Sequence, residues 1–124
     1  VHFTLGVNFL LRQQPERALA EMKLEVDPLA RDLGLILGLS DLGREAEAEQ
    51  ALEIFTEKYK ESAAFSIAQA HAWRGNADEA FAWLDTAYEQ RTSELTTILW
   101  DPLITVLKSD PRWPAFLDKM GLPH

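Results

Sequence analysis

The feature that most constrains this chain is a mark that returns at a nearly fixed interval. Ala18, Ala48 and Ala80 lie 30 and 32 positions apart, and each follows a turn signal by five residues. Gly43 opens Gly43-Arg44-Glu45-Ala46-Glu47-Ala48, and Gly75 opens Gly75-Asn76-Ala77-Asp78-Glu79-Ala80. The first copy, Gln13-Gln14-Pro15-Glu16-Arg17-Ala18, keeps the pattern with Gln13 in place of the glycine. A recurrence of roughly 30 to 34 residues is the period of stacked helix pairs, provided the intervening segments are helical.

They carry helical periodicity. Ala80, Phe81, Leu84 and Ala87 form one apolar stripe, and Ala48, Ala51, Leu52 and Phe55 another, with Glu45, Glu47, Glu49 and Glu53 turned mostly to water. No Asn-Gly or Asp-Gly turn joins alternating β-branched runs, so strands are not expected. Asp27-Pro28, Asp101-Pro102 and Asp110-Pro111 each offer an acidic cap followed by proline at the first helical position. Asn76 and Ser93 are two further candidate caps. The spacing predicts helices near 2–12, 15–25, 28–42, 45–60, 63–74 and 77–91, then shorter ones near 94–99, 102–108 and 111–120, with Gly121 as the stop.

Composition narrows the function classes. The 124 residues suit one domain. Twenty acidic against twelve basic residues give a net charge of −8, and the cations are scattered, so nucleic acid is not an expected partner. Without cysteine there are no disulfides, thiolate metal sites or cysteine nucleophiles, and the chain fits a reducing cytoplasm. No run approaches the ~18 apolar residues of a membrane span, and no secretory leader is visible. Val1 stands where an initiator methionine would, which reads as a chain cut from a longer protein.

On these residues the chain resembles the tetratricopeptide repeat family. The third unit is most similar: Ile67 and Ala68, His71, the turn at Gly75, then Ala80, Leu84 and Ala87. The second offers Leu35, Leu39, Gly43, Ala48 and Leu52, with Ile36 where a small residue is usual. The first offers Leu5-Gly6, Phe9, Ala18 and Met22. The small residues have a mechanical reason, since helices approach within ~8–10 Å only where side chains are short. The tail from Trp100 to Pro123 is similar to the end of repeat domains attached to bacterial signalling proteins. There it looks like a cap, with Leu103, Val106, Leu107, Trp113, Phe116 and Leu117 available to cover the last repeat.

The resemblance implies an all-α, right-handed superhelix of about three such units (about 1–27, 28–61 and 62–92) followed by capping helices at 93–122. It also implies a concave groove for a protein or peptide, lined here by Phe3, Val7, Leu10, Leu33, Leu37, Ser40, Asp41, Phe65, Gln69 and Trp73. The Lys, Arg and Asn that hold a terminal carboxylate in chaperone-binding members are missing from these positions. A largely apolar lining suits an amphipathic helix, an extended segment, a second copy of the chain or another part of its parent. Two other readings stay open: terminal helices fill the groove as core, or the chain is the structural end-piece of a larger regulatory protein.

Enzymatic features are weak. His71 falls in a packed aromatic slot, and His2 and His124 are terminal. No His-x-x-x-His or Glu-x-x-His pair suggests a metal site, and Gly43 and Gly75 stand alone, so no cofactor is expected. Asp78 and Glu79 sit where acids favour a helix start, and nothing requires them and Asp85 to share a cleft. Trp83, Trp100 and Trp113 read as packing residues. The chain is expected to bind rather than to catalyse.

Overall fold

The repeated mark becomes a repeated turn. In the computed structural model, which describes residues 2–90, 98 and 101–121, Gln13, Gly43 and Gly75 all adopt the left-handed conformation, with φ of 60°, 79° and 83°. The N–H of Gln14, Arg44 and Asn76 donates back to the carbonyl of Phe9, Leu39 and His71, at 2.8, 3.0 and 2.8 Å. The N–H of each left-handed residue donates to Leu10, Ser40 and Ala72 in turn. This double closure satisfies the orphan carbonyls of a helix end and requires positive φ at its pivot. Five residues on, Ala18, Ala48 and Ala80 are fully buried in all three copies.

The described residues are all-helical, without a strand among them. The helices are α1 (His2–Leu11), α2 (Pro15–Lys23), α3 (Pro28–Asp41), α4 (Glu45–Tyr59), α5 (Ala64–Trp73), α6 (Ala77–Glu89) and α7 (Arg112–Met120), with a 3-10 turn at Thr105–Leu107. None is long and apolar enough to cross a membrane. The chain divides into two compact units, Val1–Lys60 and Glu61–His124.

In the first unit α2 packs against both α1 and α3, and α3 against α4. The pivot of that packing is Met22. It has no exposed surface and lies between Gly6 of α1 and Gly34 of α3, so close that a Cβ on either glycine would collide with its thioether end or stem. Gly38, one turn beyond Gly34, faces Leu19 with more room, its nearest prospective contact being 3.1 Å. At the other end of these helices the Glu25 carboxylate accepts N–H groups from Phe3, Val26 and Asp27 at 3.0, 3.0 and 3.2 Å, tying the start of α1 to the α2–α3 link. Asp27 caps α3 through the Ala30 N–H, as its Asp-Pro context predicts. Along α4, Ala48, Leu52 and Phe55 are buried while the four glutamates are exposed.

In the second unit α5 and α6 pair, and one core joins Ala64, Phe65, Ala68 and Ala72 of α5 with Ala80, Phe81, Leu84 and Ala87 of α6. Ile98, Ile104, Leu107 and the α7 residues Trp113, Phe116 and Leu117 complete it, with Trp83 packed alongside. Two cross-links bind the edges of α6 and α7: Arg112 to Asp78 at 2.7 Å and Lys119 to Asp85 at 3.1 Å. Both partners advance by seven residues, two helical turns, so α6 and α7 run in the same direction.

Two local expectations are corrected. No α-helix forms over 102–108. The Asp101 carboxylate accepts the Leu103 N–H and its carbonyl accepts those of Ile104 and Thr105, which closes a tight turn instead. Asn76 occupies the cap position of α6 without a side-chain cap, because its amide meets His71 Nδ1 at 3.4 Å. The Asp110-Pro111 start of α7 is as expected: Pro111 already has helical dihedrals, and Asp110 accepts the Arg112 N–H on its carboxylate and the Trp113 N–H on its carbonyl. Gly121 ends α7 in the left-handed conformation at φ 74°. Apart from Ile98, the helix expected at 94–99, the cap at Ser93 and the packing of Trp100 lie outside the described residues.

Candidate functional site

The residues expected to line a groove fall into three environments. Val7, Leu10, Leu33, Leu37 and Phe65 are buried, Leu37 completely. Phe3, Ser40, Gln69 and Trp73 are half-buried, and Asp41 is exposed. Helical faces this apolar are stabilised by removing their area from water, about 25 cal/mol per Å². Burial of the aliphatic positions is therefore the state their chemistry favours.

The second unit shows how one such face is covered. Phe65 lies in the same core as Ile98, Ile104 and Leu107. One turn along α5, the Gln69 amide donates to the Asp101 carboxylate at 2.7 Å. Ile98, Asp101, Ile104 and Leu107 of the same chain thus supply both the apolar and the polar partners of this stretch of α5. Asp101 is doubly engaged, since its other oxygen accepts the Leu103 N–H at 2.9 Å.

Trp73, at the C-terminal end of α5, stands apart. It borders a surface hollow of about 490 Å³ together with Ala72, Gly75, Ala77, Val106, Leu107, Ser109, Asp110 and Pro111. Val106 is 50% exposed on its edge, although its neighbours Ile104 and Leu107 are buried. In an α-helix, residues 103, 106 and 107 would share a face. The turn that forms instead directs Leu103, Ile104 and Leu107 inward and leaves Val106 to the surface. Val106 was therefore legible only as a core residue, and the hollow depends on a turn that periodicity does not reveal.

The polar wall of the hollow is fixed. The Asp110 carboxylate receives Arg112 Nε at 3.0 Å and Nη2 at 2.9 Å, besides the Arg112 backbone N–H. Those side-chain bonds first, then the backbone bond, hold the carboxyl down at about 2. The Arg112 guanidinium, raised in turn by Asp110 and Asp78, also lies over the Phe81 ring at 4.9 Å. Glu25 of the first unit is likewise held below the usual carboxylate range, chiefly by the Asp27 and Phe3 N–H groups. Both shifts favour the charged form. A general acid working near neutrality needs the opposite. Among the described residues no group of three or more His, Cys, Asp or Glu is arranged to hold a metal ion.

Compared with protein-family models, with curated proteins and with solved structures, the chain matches none.

Proposed function

We propose that this chain is a protein-interaction scaffold of the tetratricopeptide type, a binding module and not an enzyme. It takes a short helical or extended peptide segment with one large apolar anchor against the hollow bordered by Trp73 and Val106. The observation that carries the reading is the pairing of a half-buried tryptophan with a half-exposed valine around a concavity of about 490 Å³. The hollow sets the apolar surfaces of Trp73 and Val106 beside the polar Ser109 and Asp110, and tryptophan is prominent among residues that dominate interface energetics. Three hairpins sharing one turn geometry support the repeat reading, in which the helix pairs continue as a right-handed superhelix. The acidic surface suits a neutral or basic segment over nucleic acid.

The test uses immobilised chain as bait for proteins of its source, with Val106→Glu as the surface variant. Val106 is half exposed, so the substitution is expected to leave the helical circular dichroism intact while releasing the captured protein. Ile54→Glu, at an exposed position of α4, is expected to retain it. Equal retention by both folded variants would remove the hollow as the site.

The structural end-piece reading is favoured by a different observation: Phe65 shares a core with Ile98, Ile104 and Leu107, and Gln69 bonds Asp101. On that reading α7 and the preceding turn close the second unit, and binding is secondary.

A further inference from the structure

The lining of the Trp73 hollow is mixed. Trp73, Val106, Leu107 and Pro111 present apolar surface, and Ser109 and Asp110 interrupt it. A purely aliphatic anchor would displace water from those two polar residues and return no hydrogen bond, which counts against binding.

Asp110 has an acceptor position to offer. Its Oδ1 accepts the Arg112 N–H and Nε–H at 2.9 and 3.0 Å, and its Oδ2 accepts Nη2 at 2.9 Å. A carboxylate has about four acceptor positions, so one is left on Oδ2. The side chain keeps 18% of its surface accessible, and Arg112 fixes it in place before any partner arrives. Arg112 also holds the group ionised, so it accepts hydrogen bonds and donates none.

Local charge then selects among donors. Arg74 follows Trp73, Lys108 precedes Ser109 and Arg112 follows Pro111, against Asp78 beside Ala77 and Asp110 itself. Three cations to two carboxylates leave these surroundings slightly positive, although the whole chain carries −8. A lysine or arginine tip is therefore disfavoured, and a neutral donor is not. Tyrosine and tryptophan combine a large apolar ring with such a donor.

We infer that the anchor taken by the hollow is an aromatic side chain with a donor at its tip, a tyrosine or a tryptophan. Its ring lies against Trp73 and Val106, and its O–H or N–H donates to the Asp110 carboxylate. The inference rests on the reading of the hollow as the partner site.

Three blocked amino acids that differ only in the side chain test it: N-acetyltyrosinamide, N-acetylphenylalaninamide and N-acetyllysinamide. Each is titrated into the chain near neutral pH while the Trp73 indole and Val106 methyl resonances are followed by NMR. The tyrosine compound is expected to bind at on the order of 1 mM. It is expected to bind about tenfold more tightly than the phenylalanine compound, as a hydrogen bond to a charged acceptor supplies, with the lysine compound weakest. Ser109→Ala is expected to keep that preference, and Asp110→Asn to reduce it to about threefold or less. Equal affinity for the tyrosine and phenylalanine compounds would overturn the inference while leaving the hollow as a binding site. So would a preference unchanged in Asp110→Asn, or tightest binding by the lysine compound. Resonances that move with none of the three, up to about 50 mM, would remove the hollow itself. Should Asp110→Asn fail to fold, the wild-type comparison decides alone.

Discussion

Two glycines four residues apart make opposite demands. Gly34 lies against the Met22 stem, with the Met22 Cγ 2.7 Å from a prospective Cβ. The stem of a side chain sandwiched between two helices cannot swing aside as its tip can. Gly34→Ala is therefore expected to destabilise the fold by about 1–3 kcal/mol through overpacking, despite alanine's better helix propensity. Gly38 has 3.1 Å to Leu19 Cδ1 at its tightest, a contact that a few tenths of an ångström relieves. Gly38→Ala is expected to fall within about 1 kcal/mol of the wild type, because the ~1 kcal/mol propensity gain offsets the contact. Urea denaturation of the two variants side by side checks the contrast. Gln13 offers a third case. Its left-handed φ of 60° costs a residue with a Cβ roughly 1–2 kcal/mol, and Gln13→Gly is expected to raise stability by about 1 kcal/mol in the same assay. The sequence announces Gln13 plainly, as the copy of the turn that lacks its glycine. It says nothing of Met22 meeting Gly6 and Gly34, since that contact joins three helices and no single period encodes it.

Among the elements, α1 to α6 follow from periodicity and caps to within two or three residues at each end, and those boundaries fray in any case. The segment before α7 does not. Asp101-Pro102 reads as a helix start, yet the aspartate's carboxylate and carbonyl both close on the next few N–H groups, and the helix never propagates. Side chains competing with the backbone in this way are a general weakness of cap-based reading. The start of α7 is set by the Asp110–Arg112–Asp78 cluster, whose pH dependence has a definite sign. Asp110 ionises at about 2 in the folded chain against an ordinary 3.8. Its folded value is depressed, so its stabilising contribution is present above about pH 4 and disappears as pH falls toward 2. Asp110→Asn is expected to be less stable than the wild type at pH 6, with the gap closing by about pH 2. Denaturation measured at both pH values settles it, and a constant gap would mean that the ionised carboxylate contributes nothing.

For the whole molecule, the all-helical class and the three hairpins were legible because a repeat states its unit several times. The candidate site was legible in only one residue. Leu33, Leu37 and Phe65 carry the apolar character of a groove lining, but apolar character also drives burial, and they are buried. Trp73 remains at the surface, and its companion Val106 comes from a turn some thirty residues away in sequence. Substituting Leu37 or Phe65 would therefore test the core and not the partner. The most direct measurement places a photoreactive side chain at position 106, and in parallel at position 54, during capture of the partner. The account predicts one cross-linked protein from position 106, joined through a short segment with an apolar anchor, and none from position 54. Cross-linking from position 54 alone, with position 106 silent and the chain folded, would contradict it.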